Sequence, residues 1–296
     1  MPEGQIVKAL SSFYYVESEG KTIACKARGV FKLRQQSPLV GDYVSFDQVN
    51  EDEGFITEIK IRKNQLIRPP ISNVDQAILV FSAKEPDVST LLLDKFIVHV
   101  EKAEIKPIIC ITKLDLLDLA EENKLQNLLQ TYEQMEYPII KTSSKNGKGI
   151  EELNEMLKNK ISVFAGQSGV GKSSLLNAIL PDLQLETSNI SFKLGRGKHT
   201  TRVVQLIHLP EGGMVADTPG FSQLDFHEIE SEELNQFFKE IHQFSDQCRY
   251  RGCLHLNEPG CAVKEAVNEQ LIDRDRYEHY ISFLKEIKEK EENKWR

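Results

Sequence analysis

Residues 166–173 read Gly166-Gln167-Ser168-Gly169-Val170-Gly171-Lys172-Ser173, set between the apolar run Ile161–Ala165 and a helical pattern over Lys172–Leu180. A strand that enters a glycine-rich turn and leaves as a helix requires a parallel sheet with helices packed on it. In such a turn successive backbone N–H groups point at phosphate oxygens, and the helix adds its positive end. Lys172 is placed to reach the β- and γ-phosphates of a nucleotide and Ser173 to bind Mg²⁺, with Ser174 beside it among the nucleotide-binding residues. A plain glycine turn at a helix start gives no reason for Lys172 and Ser173.

The surrounding sequence supplies the rest of that sheet. Gln76–Ser82 precedes a helical pattern at Thr90–Glu104, Pro107–Thr112 precedes Leu116–Met135, and Pro138–Lys141 precedes Ile150–Leu157. Near-continuous apolar strands joined by amphipathic helices predict a parallel sheet covered on both faces. Val203–Leu209 and Met214–Ala216 add two closely spaced strands that read as a hairpin. Upstream, residues 1–68 carry short β-rich segments at Phe13–Val16, Thr22–Lys26, Tyr43–Phe46 and Gly54–Ile61, with no helical pattern between them. A small five-stranded barrel fits best. Pro69-Pro70 marks a boundary. The expected organisation is a multidomain α/β chain: a barrel at 1–68, the α/β core at 69–225, and a C-terminal helical part at 226–296 that ends in a charged helix from about Arg274.

The 37 Lys and Arg against 45 Asp and Glu give a net charge of −8, which excludes a protein that coats nucleic acid by bulk charge. The barrel segment, with ten basic and nine acidic residues, is close to neutral within this acidic chain. No run approaches the roughly 18 apolar residues of a membrane span, and the N-terminus lacks the pattern of a secretory signal. The expectation is a soluble cytoplasmic protein with no membrane partner.

Two further motifs address the rest of a nucleotide. Thr112-Lys113-Leu114-Asp115 follows the strand Pro107–Ile111. An aspartate carboxylate offers two acceptors to the N1–H and exocyclic amine of guanine, a pairing that adenine cannot make. Lys113 would lay its aliphatic stem along the base. Commoner versions of the motif begin with Asn, so Thr112 keeps a hydroxyl and loses an amide. Thr142-Ser143-Ser144-Lys145 follows the next strand, where a backbone N–H meets the guanine O6. Asp217-Thr218-Pro219-Gly220 lies at a strand end 45 residues after Lys172. There Asp217 would hold the magnesium through a water and the Gly220 N–H would sense the γ-phosphate.

These motifs resemble the GTPase signatures, but their order is TKLD, TSSK, GQSGVGKS, then DTPG, a circular permutation of the Ras-like order. The chain therefore leaves the core just after the DTPG element, which tethers the C-terminal part to a switch. Between the phosphate loop and DTPG, residues 191–202 carry four Lys or Arg and no acid. In the position of the first switch, Thr200 or Thr201 would close over Mg²⁺ and the γ-phosphate. The surplus basic charge would face RNA phosphates, or simply solvent. Phe221 occupies the position of the water-orienting glutamine of many GTPases, so intrinsic hydrolysis should be slow. His199 is the nearest side chain in sequence that can position water, the alternative being a purely structural histidine.

Cys248-x₄-Cys253-x-His255-x₅-Cys261 gathers three thiols and an imidazole within 14 residues. One structural zinc suits such a set, against reduced core thiols or a redox pair. Arg249, Tyr250 and Arg251 lie in the first ligand loop and would be displayed outward. Cys25 and Cys110 read as packing residues.

A barrel, a permuted core and a Cys-Cys-His-Cys knuckle, together with GRGKHTT, DTPGF and RPPISNVDQ, resemble the family of ribosome small-subunit-dependent GTPases A over nearly the whole chain. The resemblance implies an OB-fold barrel, binding of GTP and GDP with Mg²⁺, and hydrolysis stimulated by the 30S subunit late in its maturation. It implies zinc on Cys248, Cys253, His255 and Cys261, and partners in the 30S subunit, its 16S rRNA and other assembly factors; an acidic chain with an rRNA-sized ligand is itself expected to be a monomer. Competing readings are a GTP-regulated RNA-binding protein with little hydrolysis and a permuted GTPase acting on another ribosomal particle. A P-loop kinase would need an acceptor pocket with its own base, and no such constellation is present.

Overall fold

The structure, a computed structural model, describes residues 1–29, 31, 36–67, 69–180, 204–217, 224–226 and 229–294. Five strands open the chain: β1 (Glu3–Leu10), β2 (Phe13–Ser18), β3 (Lys21–Ala27), β4 (Tyr43–Gln48) and β5 (Glu53–Ile59). Their order β1-β2-β3-β5-β4 closes on itself because β1 also pairs with β4, which gives the five-stranded OB-like barrel. Ile6, Val16, Ile23, Cys25, Val44, Phe46 and Ile56 fill its interior. The four β-rich segments of the sequence correspond to β2–β5, but β1 is not apparent from alternation. A bulge between Ile6 and Lys8 interrupts its period of two. Gly4 lies so close to β2 that a Cβ there would stand 2.4 Å from the Glu17 carbonyl oxygen.

Pro69 and Pro70 fall between the two short strands of a ribbon, β6 (Gln65–Leu66) and β7 (Ile71–Ser72). The core follows as β8 (Gln76–Ser82), α1 (Thr90–Lys102), β9 (Lys106–Thr112), α2 (Leu119–Gln134), β10 (Ile139–Lys141), α3 (Ile150–Leu157), β11 (Ile161–Ala165) and α4 (Lys172–Ile179). The hairpin β12 (Val204–His208) and β13 (Met214–Asp217) completes it. The sheet runs β10-β9-β8-β11-β13-β12, parallel from β10 to β13. Alternation divides β8 between two cores. Ala77, Leu79 and Phe81 pack with Leu93 and Phe96 of α1 and Leu129 of α2, while Ile78 and Val80 pack with Leu153 of α3 and Leu175 of α4. Both faces are covered, as the apolar strands require. Asp118 caps α2 in a capping box with Glu121.

The C-terminal part holds α5 (Lys239–Ser245), α6 (Ala262–Asn268) and α7 (Arg274–Lys294), packed on a core that includes Val98 of α1. Phe226 stacks on His99 of α1 with ring centroids 5.2 Å apart, and burial pushes the His99 imidazole down to about 4. A buried polar network locks the same seam. Arg276 of α7 donates to Asp94 of α1 and, at 2.6 and 3.0 Å, to Glu240 of α5. The Tyr132 hydroxyl of α2 donates to Asp94 at 2.8 Å. Among the described residues, no helix is long and apolar enough to cross a membrane.

Candidate nucleotide site and metal centre

The phosphate loop joins β11 to α4 at the carboxyl ends of the parallel strands, where α/β sheets place their ligands. Gly166 has φ +146° and packs so tightly on β8 that a Cβ would lie 2.2 Å from the Val80 carbonyl oxygen. Gly169 and Gly171 have φ +82° and +92°, a region that favours glycine. The Lys172 ammonium donates to the carbonyls of Gly166 at 2.8 Å and Gln167 at 2.5 Å, which holds it over the loop. Burial lowers its pKa. Ser168 is exposed at the loop's crest, and Ser173 and Ser174 stand in the first turn of α4.

The base-reading motifs meet this loop directly. The Thr112 hydroxyl lies 2.5 Å from the Val170 carbonyl oxygen, tying the end of β9 to the phosphate loop. The threonine that stands where an asparagine is commoner therefore performs a positioning task that needs only a hydroxyl. Lys113 takes the left-handed conformation, φ +58°, and its ammonium donates to the Glu85 carbonyl. Asp115 is exposed, with one carboxylate oxygen accepting from the Ser143 hydroxyl at 2.5 Å. The Ser143 N–H donates to the Lys148 carbonyl at 3.0 Å, so this amide is used within its own loop.

Asp217 ends β13, which runs parallel to β11 and so reaches the same edge of the sheet as the phosphate loop. His199, Thr200 and Thr201, like Gly220 and Phe221, lie outside the described residues.

At the opposite end of the chain the donor atoms of Cys248, Cys253, His255 and Cys261 all lie within 4.8 Å of one another. Cys248 Sγ is 3.9 Å from Cys261 Sγ and 3.6 Å from His255 Nδ1, and His255 Nδ1 is 3.4 Å from Cys261 Sγ. A tetrahedral zinc would separate two thiolates by about 3.8 Å and a thiolate from an imidazole nitrogen by about 3.6 Å. Donor set and spacing both fit zinc, with four protein ligands and no open position, which is the structural type. The Glu258 carboxylate accepts from the N–H groups of Leu254, Leu256 and Asn257 at 2.8–3.0 Å, and the Tyr277 hydroxyl of α7 donates to the His255 carbonyl at 2.7 Å. These bonds shape the knuckle from outside.

A permuted phosphate-binding core between an OB-like barrel and a Cys₃His centre narrows the identity sharply. Residues 59–227 match the RsgA GTPase family and residues 3–56 match the RsgA N-terminal domain. The chain belongs to the RsgA GTPase family. It is a GTP hydrolase that uses guanine nucleotide and Mg²⁺. A protein of Shouchella clausii named small ribosomal subunit biogenesis GTPase RsgA is 56% identical over 289 residues, covering 98% of each chain. The crystal structure of YloQ, described as a circularly permuted GTPase, is 50% identical and superposes with a TM-score of 0.83 over 98% of this chain and 96% of its own. That of YjeQ from Thermotoga maritima is 45% identical, with a TM-score of 0.85 over 97% and 98%. Two supports of this site are not signalled by any motif as such: the Ser143 hydroxyl on Asp115 and the Glu85 carbonyl on Lys113. The first lies inside TSSK, but nothing in that motif says that the hydroxyl, rather than the amide, does the work.

If zinc holds the knuckle, its removal should unfold that part and spare the base site. Chelation is expected to expose Tyr277 and Tyr280, which donate to the His255 and Leu254 carbonyls, and so to change tyrosine fluorescence. GTP affinity should stay within about threefold of its starting value, which a nucleotide titration in the chelated protein checks.

Proposed function

We propose that this chain is a late maturation factor of the small ribosomal subunit, which binds the 30S particle in its GTP form and leaves it after hydrolysis stimulated by that particle. The observation that carries this reading is the 98% alignment with a protein named small ribosomal subunit biogenesis GTPase, barrel and knuckle included. In this reading residues 1–68, 69–225 and 226–296 act as barrel, GTPase and knuckle domains of a cytoplasmic monomer.

Within the core, Asp115 accepts from N1–H and the exocyclic amine of guanine, Lys113 covers the base, and the Ser144 N–H meets O6. The loop 166–171 wraps the phosphates, with Gly166, Gln167, Ser168, Gly169, Val170 and Gly171 supplying backbone donors. Lys172 swings from its own loop carbonyls to the β- and γ-oxygens. Ser173 and Asp217 hold Mg²⁺, which neutralises charge on the phosphates, and Thr200 or Thr201 closes over it. His199 orients the attacking water in place of the glutamine that Phe221 displaces. Replacing His199 with alanine should leave GTP affinity intact and lower 30S-stimulated turnover at least tenfold; turnover equal to the parent's would remove His199 from this role.

Contact with 16S rRNA falls to both flanking parts. On β2, Phe13 and Tyr15 alternate with buried Val16, and Lys26 and Lys8 stand 4.8 and 5.7 Å from their ring centroids. On the knuckle Tyr250 is exposed, with the Arg249 guanidinium 5.4 Å from its ring. Rings paired with cations suit unpaired RNA bases next to phosphates. Co-sedimentation tests the reading: the protein should pellet with 30S subunits in the presence of a non-hydrolysable GTP analogue and remain largely in the supernatant with GDP. Equal pelleting in both would contradict it.

A further inference from the structure

β1 belongs to two bodies at once. Its residues Glu3–Gln5 close the barrel against Tyr43–Ser45 of β4, whereas Lys8 and Ala9 pair with Gln205 and Val204 of β12. The bulge between Ile6 and Lys8 separates the two pairings. Barrel and core thus share a single 11-stranded sheet.

The register makes this junction specific. Lys8 is the partner of Tyr15 on one side and of Gln205 on the other, and Gln205 is the partner of Asp217. Tyr15, Lys8, Gln205 and Asp217 therefore occupy one row across four adjacent strands. At about 4.8 Å per strand, Tyr15 stands about 14 Å from Asp217. A second tie lies at the other end of β12, where His208 Nε2 is 2.7 Å from a carboxylate oxygen of Glu17 on β2. A hydrogen-bonded ladder resists separation of its strands, because each unmade bond leaves a donor and an acceptor behind.

We propose that the barrel and the β12–β13 hairpin move as one unit through β1, so that RNA held on the barrel sets the position of Asp217, and the nucleotide at Asp217 in turn sets the barrel's affinity for RNA. The proposal rests on the functional reading above, in which the barrel holds rRNA and Asp217 serves Mg²⁺. It adds a second lever to the C-terminal tether, at the opposite end of the chain. Because linkage is reciprocal, one ratio measures it: the 30S affinity with a non-hydrolysable GTP analogue divided by that with GDP.

Two variants of the full-length protein test the link. Among the described residues Val204 pairs with β1 and not with β13, whose described pairing with β12 begins at Gln205. Val204→Pro bars this residue from the ladder and leaves the hairpin pairs in place. The expected result is a ratio that falls at least threefold, the remainder being the share carried by the C-terminal tether, with GTP and GDP affinities within about twofold of the parent. His208→Glu sets a like charge against Glu17 at a site exposed enough for folding to be insensitive. It should lower the ratio about two- to fivefold, and adding Glu17→Lys should restore it. A parental ratio above one that both variants retain would overturn the link alone. A parental ratio of one would sink the underlying functional reading and the link with it.

Discussion

Asp115→Asn is expected to lower GTP affinity by about two to four orders of magnitude and to create affinity for xanthosine triphosphate. In the proposed base reading the carboxylate presents two acceptors to two guanine donors, and each hydrogen bond to a charged acceptor contributes about 1.5–3 kcal/mol. Asparagine keeps the shape but turns one acceptor into a donor, which faces the guanine amine unfavourably. Xanthine carries a carbonyl where guanine carries that amine, so the new amide finds a partner. Asp115 is exposed and, among the described residues, accepts a hydrogen bond from Ser143, so the variant should melt within a few degrees of the parent. Titration with GTP, ATP and xanthosine triphosphate reads the change. GTP affinity within threefold of the parent would show that the base is read elsewhere.

Arg276→Met is expected to be the most destabilising single change in the C-terminal part. The Arg276 side chain is 3% exposed, and its partners are Asp94 at 0% and Glu240 at 8%. Removing the guanidinium takes the counter-charge from the buried Glu240 and leaves the buried Asp94 with the Tyr132 hydroxyl and the His279 imidazole, 2.8 and 2.6 Å away, at a cost of about 3–5 kcal/mol. For a chain of this size that corresponds to a Tm lower by about 5–8 °C. Asp94 belongs to α1 and Glu240 to α5, so the loss loosens the seam between GTPase core and C-terminal part rather than either alone. Replacing Asp94 and Glu240 with leucine in the same protein should recover much of the loss, because an apolar cluster of similar volume carries no desolvation penalty. A Tm unchanged by Arg276→Met would show that the seam does not depend on this charge.

What was legible in the sequence divides along physical lines. The phosphate loop, TKLD, TSSK and the cysteine cluster are local: the residues that do the chemistry are neighbours in the chain, and their turn glycines announce the backbone they need. The core strands are equally plain, because strands buried on both faces carry near-continuous apolar runs, as β8 does from Ala77 to Phe81. β1 is not legible because its bulge and Gly4 erase the alternation that marks a half-buried strand. The Arg276 network was invisible for another reason. Its partner Asp94 lies 182 positions away, and a charged residue in a helical pattern reads as surface until the fold buries it. Thr112 looked like a small loss relative to asparagine. The structure shows its hydroxyl against the Val170 carbonyl, a contact that only the folded sheet brings about.

The most direct test is GTP turnover by the purified protein, alone and with 30S subunits, with 50S subunits and ATP as controls. The expected result is slow intrinsic hydrolysis, accelerated at least tenfold by 30S subunits, unaffected by 50S subunits, and absent with ATP. Turnover that is the same with and without 30S subunits would contradict the account, whatever the nucleotide site binds.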